Sequence, residues 1–328
     1  MVVVNWRVAA PASVSRSIIV AEKAGKDDIV KHIYLSPHSD DVALSCGGQI
    51  IADPAREQDI MVLNIFASDP DRSQGGIREK ETMFLNADRA SEDRSAWESI
   101  NVATRHANLP EALLRKRFPL AILPRKGDDR IIDELHQAML TYVRSHPGAV
   151  FHFPAGFGNH IDHLVCRTVA FRLLDEGALE RIVFYEDIPY CWLRFIRLPC
   201  YRALLRDVEL EHGSETHAFR HDGETMASYL GQRNVPFPKG KALFSMVYLA
   251  LKIGNALRGS SVVAKRYRGR ISAIRLDDAT MERKKQLLYH YRSQIPLLFG
   301  DQPDEVLRSR HDAFSTETAI EISRRVAS

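Results

Sequence analysis

Hydrophobic positions along the 328-residue chain fall into two alternating patterns. Short apolar runs of strand length are each followed by a longer stretch with helical spacing. Lys31 to Ser36 is a compact apolar run that predicts a buried strand, and Pro37 ends it. Val42, Leu44, Ile50 and Ile51 then recur at helical spacing, and Asp59 to Phe66 predicts a second buried strand. Strand, helix and strand in that order make a βαβ unit, hence a parallel pair with a right-handed crossover. The pattern recurs later. Arg130 to Ser145 predicts an amphipathic helix with Ile131, Leu135, Met139 and Val143 in register, stopped by His146-Pro147-Gly148. Ala149 to Phe153 predicts a strand, 154–159 a Gly-rich loop, and Leu164 to Leu174 a helix. Residues 77–105 are charged and predict a solvated helix, and the turn-rich 67–76 predicts a loop at the strand end. The fold class is therefore α/β: a Rossmann-like, mostly parallel sheet flanked by helices, with the active site at the C-terminal ends of the strands.

Polar residues interrupt this pattern at two equivalent places. The first strand–loop–helix unit carries His38, Asp40 and Asp41, and the second carries His160, Asp162 and His163. Two strand ends of one sheet would bring all six to one rim. Imidazole and carboxylate suit a borderline divalent ion such as Zn2+, with Fe2+ as a second candidate. A carboxylate beside the ion can take a proton from water, and a further histidine can steady an oxyanion or protonate a leaving group. Each half is weak alone; the repeated layout is the signal. A two-His, one-carboxylate Fe(II) oxygenase is a weaker alternative, because two residues separate His38 from Asp41.

Composition changes this picture little. Hydrophobic residues at 45% and charged residues at 27% are ordinary for a globular enzyme, and a net charge of +3 gives no case for a nucleic-acid partner. The four cysteines are scattered, so free thiols in a reducing, cytoplasmic setting are expected, although Cys191 and Cys200 could pair. Cys46 reads as a small packing residue. No signal peptide and no membrane span are expected. Residues 1–30 read as a leader. His146 and His152 read as structural or surface residues, and His106, His212, His217 and His221 as solvated. Glu186 and Asp187 end a strand, where they either line the pocket or hydrogen-bond the loop.

Pro37-His38-Ser39-Asp40-Asp41 with Gly47-Gly48, and later Gly158-Asn159-His160-Ile161-Asp162-His163, resemble the paired motifs of the PIG-L/LmbE-like family of zinc-dependent N-acetyl deacetylases. Supporting similarities follow in order: Arg89 to Glu92, Leu109 to Ala112 with Arg115, Phe184 to Tyr190, and Lys284 to Gln294. The resemblance implies His38, Asp41 and His163 as metal ligands and Asp40 as general base toward a metal-held water. It also implies His160 as oxyanion donor or acid, Asp162 steadying one histidine, and Arg89 reaching a sugar hydroxyl, with Glu111 and Glu186 as further substrate contacts. The implied reaction removes an N-acetyl group from an amino sugar or glycoconjugate. Two alternatives stand beside it: an amidase on a larger sugar-linked amide, and a carbohydrate-binding protein that keeps the metal without turnover. The family usually reads His-Pro-Asp-Asp-Glu, whereas Ser39 and Val42 stand here. The domain would comprise 31–200 and 275–328, with 201–274 as an inserted or substrate-shaping part. Within that part, 242–257 is apolar and 258–270 basic: a buried helix with a solvated face, or in a weaker reading a membrane contact through 242–270.

Overall fold

A computed structural model describes residues 30–53, 59–67, 89–212, 214, 238–260, 263–300, 303–309 and 311–325. The strands among these residues are β1 (His32–Ser36), β2 (Ile60–Asn64), β3 (Ala103–His106), β4 (Val150–Pro154), β5 (Arg181–Tyr185), β6 (Val208–Leu210), β7 (Tyr267–Arg275) and β8 (Thr316–Arg324). The helices are α1 (Asp41–Ala52), α2 (Arg89–Glu98), α3 (Asp129–Ser145), α4 (Ile161–Glu176), α5 (Arg194–Leu204), α6 (Pro238–Ser260), α7 (Asp278–Leu288) and three short ones, α8 (Ile295–Phe299), α9 (Pro303–Ser309) and α10 (His311–Phe314). All eight strands form one sheet in the order β3-β2-β1-β4-β5-β8-β7-β6. The first five are mutually parallel, and β8 enters antiparallel between β5 and β7. The fold is thus the expected mostly parallel, Rossmann-like α/β sheet.

The central strands are apolar because helices cover both faces. Ile33 and Leu35 of β1, Val62 and Leu63 of β2, and Phe153 of β4 are all fully buried. From β1 the chain steps outward to β2 and β3; from β4 it steps the other way to β5. Their junction is a topological switch point, where a crevice opens beyond the strand ends. His38 follows β1 and His160 follows β4, so the fold brings both polar segments to that crevice.

Three expectations need correction. The helix expected over 77–105 ends at Glu98, and Ala103–His106 is an edge strand, which tolerates charged, half-exposed side chains; residues 77–88, like the expected loop 68–76 and the leader 1–29, lie outside the described residues. His106 is not solvated: its Nε2 lies 2.6 Å from Asp93, which also accepts from Trp97, Thr104 and Tyr291. A buried carboxylate with four donors is satisfied, and it ties α2, β3 and the end of α7 together. The third correction is that β7 and β8, nine residues each, were not expected as strands; both belong to the same sheet as the site. His152 is buried, stacked at 4.0 Å on Tyr34, in keeping with a structural role. All four cysteines are buried and free. His217 and His221 lie outside the described residues. No helix among the described residues is long and apolar enough to cross a membrane.

The C-terminal region grips α1 through a buried ion pair. Lys284 of α7 lies 2.7 Å from Glu317 of β8, and both side chains are fully buried. Glu317 also accepts the backbone N–H groups of Gly48 and Gln49 at 2.8 and 2.7 Å. A Cβ at Gly48 would stand 2.1 Å from Leu276, so glycine is what lets α1 approach this closely. Removing one partner of a buried pair strands the other charge in a low dielectric, at a cost of about 3–5 kcal/mol. Lys284→Met should therefore lower unfolding free energy by about that amount in urea titrations, with part recovered when Glu317→Gln is added.

Candidate metal centre

Local hydrogen bonds shape the turn after β1. Ser36 Oγ donates to the His38 carbonyl and accepts from Val42 N at 3.2 Å, closing a tight turn into α1. Asp41, the first residue of α1, accepts His38 N–H at 2.8 Å. A carboxylate there also meets the positive end of the helix. After β4, Gly158 holds a left-handed φ of 83° against the Tyr190 ring, so no side chain fits and the loop turns sharply. His160 then caps α4, which carries Asp162 and His163 in its first turn.

The two segments meet. His38 Nδ1 lies 3.3 Å from Asp41 Oδ2, His163 Nε2 lies 3.2 Å from the same oxygen, and the two imidazole nitrogens are 3.4 Å apart. Four ligands held tetrahedrally at about 2.0–2.1 Å from Zn2+ stand about 3.3 Å from one another. The triangle therefore has the edge length of one face of such a site, with three donors of the right chemistry. The rings of His38 and His160 lie 4.7 Å apart, edge to face. A looser trio of His38, His160 and His163 nitrogens, within 4.8 Å, can also be drawn. The tighter spacing and the carboxylate favour the set containing Asp41.

Each triangle imidazole turns its other nitrogen to a carboxylate. His38 Nε2 meets Asp162 at 3.2 Å, and His163 Nδ1 meets Asp187 at 2.5 Å. Asp162 is itself held by Arg115 at 2.7 Å and by Ala112 N–H at 3.0 Å; Asp187 accepts Phe157 N–H at 2.7 Å. Such partners fix ring orientation and raise ligand basicity. Sequence reasoning gave this role to Asp162 and left Asp187 undecided; the residue pattern carried no signal for which histidine Asp187 would meet.

Burial and these neighbours set the protonation states. Burial pulls the His38 imidazole down, but Asp162 and Asp41 outweigh it and lift it to about 10. His163 is likewise raised against burial by Asp41 and Asp187. Burial would raise Asp41, yet His163 and His38 hold it well below the usual carboxylate range. Asp40, 7% exposed, is pushed up to about 6 by burial and by the Asp41 charge, with Arg89 and His38 opposing. His160 is pulled down to about 3 by burial and by His38. Its Nδ1 accepts Asp162 N–H at 3.3 Å, so the neutral ring carries its proton on Nε2.

The remaining candidates lie apart from the triangle. Arg89 donates to Glu111 and to Gln294, each at 2.7 Å, while Glu92 accepts from Ser293 N and Oγ. Arg89 and Glu111 stand on the Asp40 side, near enough that their charges act on Asp40 and His38. Glu186 does not join the site. It is 6% exposed, its two oxygens accept from Arg197 at 2.8 and 2.9 Å, and Thr318 adds a third bond. A carboxylate so occupied has no oxygen to offer a ligand, which corrects the substrate role expected of it. Val42 is fully buried apolar packing.

Fold and site together define a Rossmann-like α/β protein with a metal-competent His/Asp triangle at its switch point. Residues 33–174 match the family described as PIG-L: GlcNAc-PI de-N-acetylase. It is similar to a 2'-N-acetylparomamine deacetylase of Streptomyces fradiae, 26% identical over 164 residues, covering 49% of this chain and 58% of the relative. A protein of the same name from Niallia circulans is 26% identical over 189 residues, covering 48% and 66%. The matched stretches thus fall short of two thirds of either relative. Among solved structures, a deacetylase of the teicoplanin biosynthesis pathway aligns with TM-score 0.58 at 18% identity, over 91% of this chain and 100% of that one. The A40926 pseudoaglycone deacetylase aligns with TM-score 0.55 at 14% identity, over 92% and 100%. At such identities these two speak for the fold.

Outer carboxylates of this kind are worth about 10–100-fold in metal affinity. Asp187→Asn should weaken Zn2+ binding by about that factor in competition titrations against a chromogenic chelator, with the far-ultraviolet circular dichroism unchanged.

Proposed function

We propose that the protein is a metal-dependent N-deacetylase that hydrolyses an acetamide on an amino sugar or glycoconjugate, leaving the free amine and acetate. The observation that carries the reading is the 3.2–3.4 Å triangle of His38, Asp41 and His163, with a neutral imidazole and a raised carboxyl beside it. The family match and the deacetylase names of the two relatives support the substrate class. His38 Nδ1, Asp41 Oδ2 and His163 Nε2 would hold the ion, with Zn2+ favoured by the two-His, one-carboxylate set and Fe2+ second. When bound, the ion supplies Lewis acidity and brings water to a pKa near about 7.

This chain's own groups divide the remaining work. Asp40, ionised above about pH 6, takes the proton of the attacking water as its oxygen bonds to the acyl carbon. His160 presents an N–H from Nε2 toward the developing oxyanion. Because its ring is neutral at ordinary pH, it serves as oxyanion donor rather than as the acid. The proton held by Asp40 then goes to the departing nitrogen as the C–N bond breaks. Arg89, bridged to Glu111 and Gln294, presents a fixed polar edge for sugar hydroxyls on the Asp40 side. The division into 31–200 with 275–328 and a separate 201–274 does not follow the sheet, since β6 and β7 of the latter range extend it; what that range adds beyond the sheet is helix α6. Four buried thiols suit a cytoplasmic setting.

Metal-loaded protein should release acetate from N-acetylated amino sugars. Asp40→Asn should lower kcat/KM by about 10²–10⁴-fold while retaining metal. His160→Ala should cost about 10²–10³-fold, mostly in kcat. A general base must be ionised, so kcat/KM should fall as pH drops below about 6, and the Asp40→Asn profile should lose that limb. Acetate release that is absent from the wild type, or equal in Asp40→Asn, would refute the reading.

A further inference from the structure

Helix α6 carries an apolar stripe on its outer face. Met246, Leu249, Ile253 and Leu257 are 62%, 56%, 52% and 68% exposed. Their spacing of three to four residues places them on one side of the helix, over about 17 Å. The opposite side is committed to the fold: Leu251 and Asn255 are buried, and the helix packs along α5. Single exposed apolar residues are normal, but an aligned row of large ones marks an interaction surface.

Charge identifies the partner. From Thr225 to Leu276 the sequence contains no Asp or Glu and ten Lys or Arg. Taking those ten charges from the chain's +3 leaves −7 on all other residues. The positive charge is therefore concentrated in the stretch of sequence that carries the apolar stripe. Lys252 is exposed on α6 itself, and Arg268 and Arg270 are exposed along β7; Arg258 and Arg266 line a groove of mixed charge at the C-terminal end of α6, where Arg266 pairs with Asp175 and Asp207. A helix with an apolar face amid basic residues, too polar to span, lies flat in the interface of an anionic bilayer.

The surface adjoins the candidate site. Asn255 on the inner face of α6 donates to Asn159 at 2.8 Å, the residue before His160. Asn159 in turn donates to the Ala121 carbonyl at 2.8 Å, and Phe118 and Leu123 of that same segment are 62% and 42% exposed. A Cβ at Gly254 would meet Ile122 at 2.2 Å, so this segment lies directly against α6. We infer that α6, with its basic surroundings, docks the protein flat onto an anionic lipid bilayer, with the His160 side of the site next to the docked face. The inference stands apart from the deacetylase reading, because its readout is vesicle binding and not turnover.

Flotation with extruded vesicles tests it. The full chain should float with phosphatidylcholine–phosphatidylglycerol vesicles, far less with phosphatidylcholine alone, and less again as salt is raised. Leu249→Glu with Ile253→Glu, both at exposed positions, should cut binding at least about tenfold. Lys252→Gln should weaken binding to the anionic vesicles alone. A tryptophan at position 253 (Ile253→Trp) should shift its emission to the blue on vesicle addition and be quenched by brominated lipid, which keeps the test independent of the double variant. The inference is overturned if the wild type stays out of the anionic vesicle fraction, if the double variant floats equally well, or if the tryptophan is unquenched. Sedimentation velocity supplies a further overturning result: a dimer without vesicle binding, abolished by the double variant, would make a second copy the occupant.

Discussion

The contact on which the site depends is the clamp on His163: one nitrogen on Asp187 at 2.5 Å, the other facing Asp41 at 3.2 Å. It joins the ends of three parallel strands. Asp187 follows β5, His163 follows β4, and Asp41 follows β1. Any slip in the register of these strands would pull the ring from one carboxylate or the other. The sheet core, with Ile33, Leu35, Phe153 and Phe184 fully buried, fixes that register. Burying this much charge is unfavourable in itself. The imidazoles of His38 and His163 are raised and the carboxyl of Asp41 is depressed, each by the opposite charge beside it. A divalent ion would replace protons on the same nitrogens, which makes its affinity pH-dependent.

Much of this was legible in the chain, for a physical reason. Strand β1 and strand β4 are buried on both faces, so they read as continuous apolar runs, and ligand-type residues directly after them stand out. What could not be read was whatever depends on distant partners. Asp187 and Glu186 are neighbours of identical charge, yet one orients His163 and the other is consumed by Arg197. Nothing local separates them; the β5 end decides. Strand β3 was hidden because Thr104, Arg105 and His106 belong to a sheet edge, where polar residues are at home. Strand β7 alternates buried and exposed positions only at its start, and arginines at the exposed ones gave it the look of a solvated face.

The supporting similarities gain meaning from their contacts. Arg89 and Glu92 lie on α2, Glu111 in the loop after β3, and Ser293 and Gln294 before α8. Far apart in sequence, they bond to one another: Arg89 to Glu111 and Gln294, Glu92 to Ser293. They are one polar wall assembled from three segments. The departures are as readily placed. Val42 points into the core of α1, and its backbone N–H is satisfied by Ser36 Oγ, so the turn that presents Asp40 and Asp41 forms without a polar side chain there.

Helix α6 links this wall-and-triangle site to the outside. Its inner face reaches Asn159, whose left-handed φ of 62° sets the direction of the chain into His160. Asn159 thus reads α6 on one side and Ala121 on the other, and the proposed oxyanion donor inherits its position from both. A helix is only about 10–12 Å across. Whatever meets the outer stripe of Met246, Leu249 and Ile253 therefore sits within about one helix diameter of the loop that orients His160. The same helix that buttresses the loop before His160 through Asn255 presents Met246, Leu249, Ile253 and Leu257 outward, so anything bound to that stripe bears on the segment that orients His160.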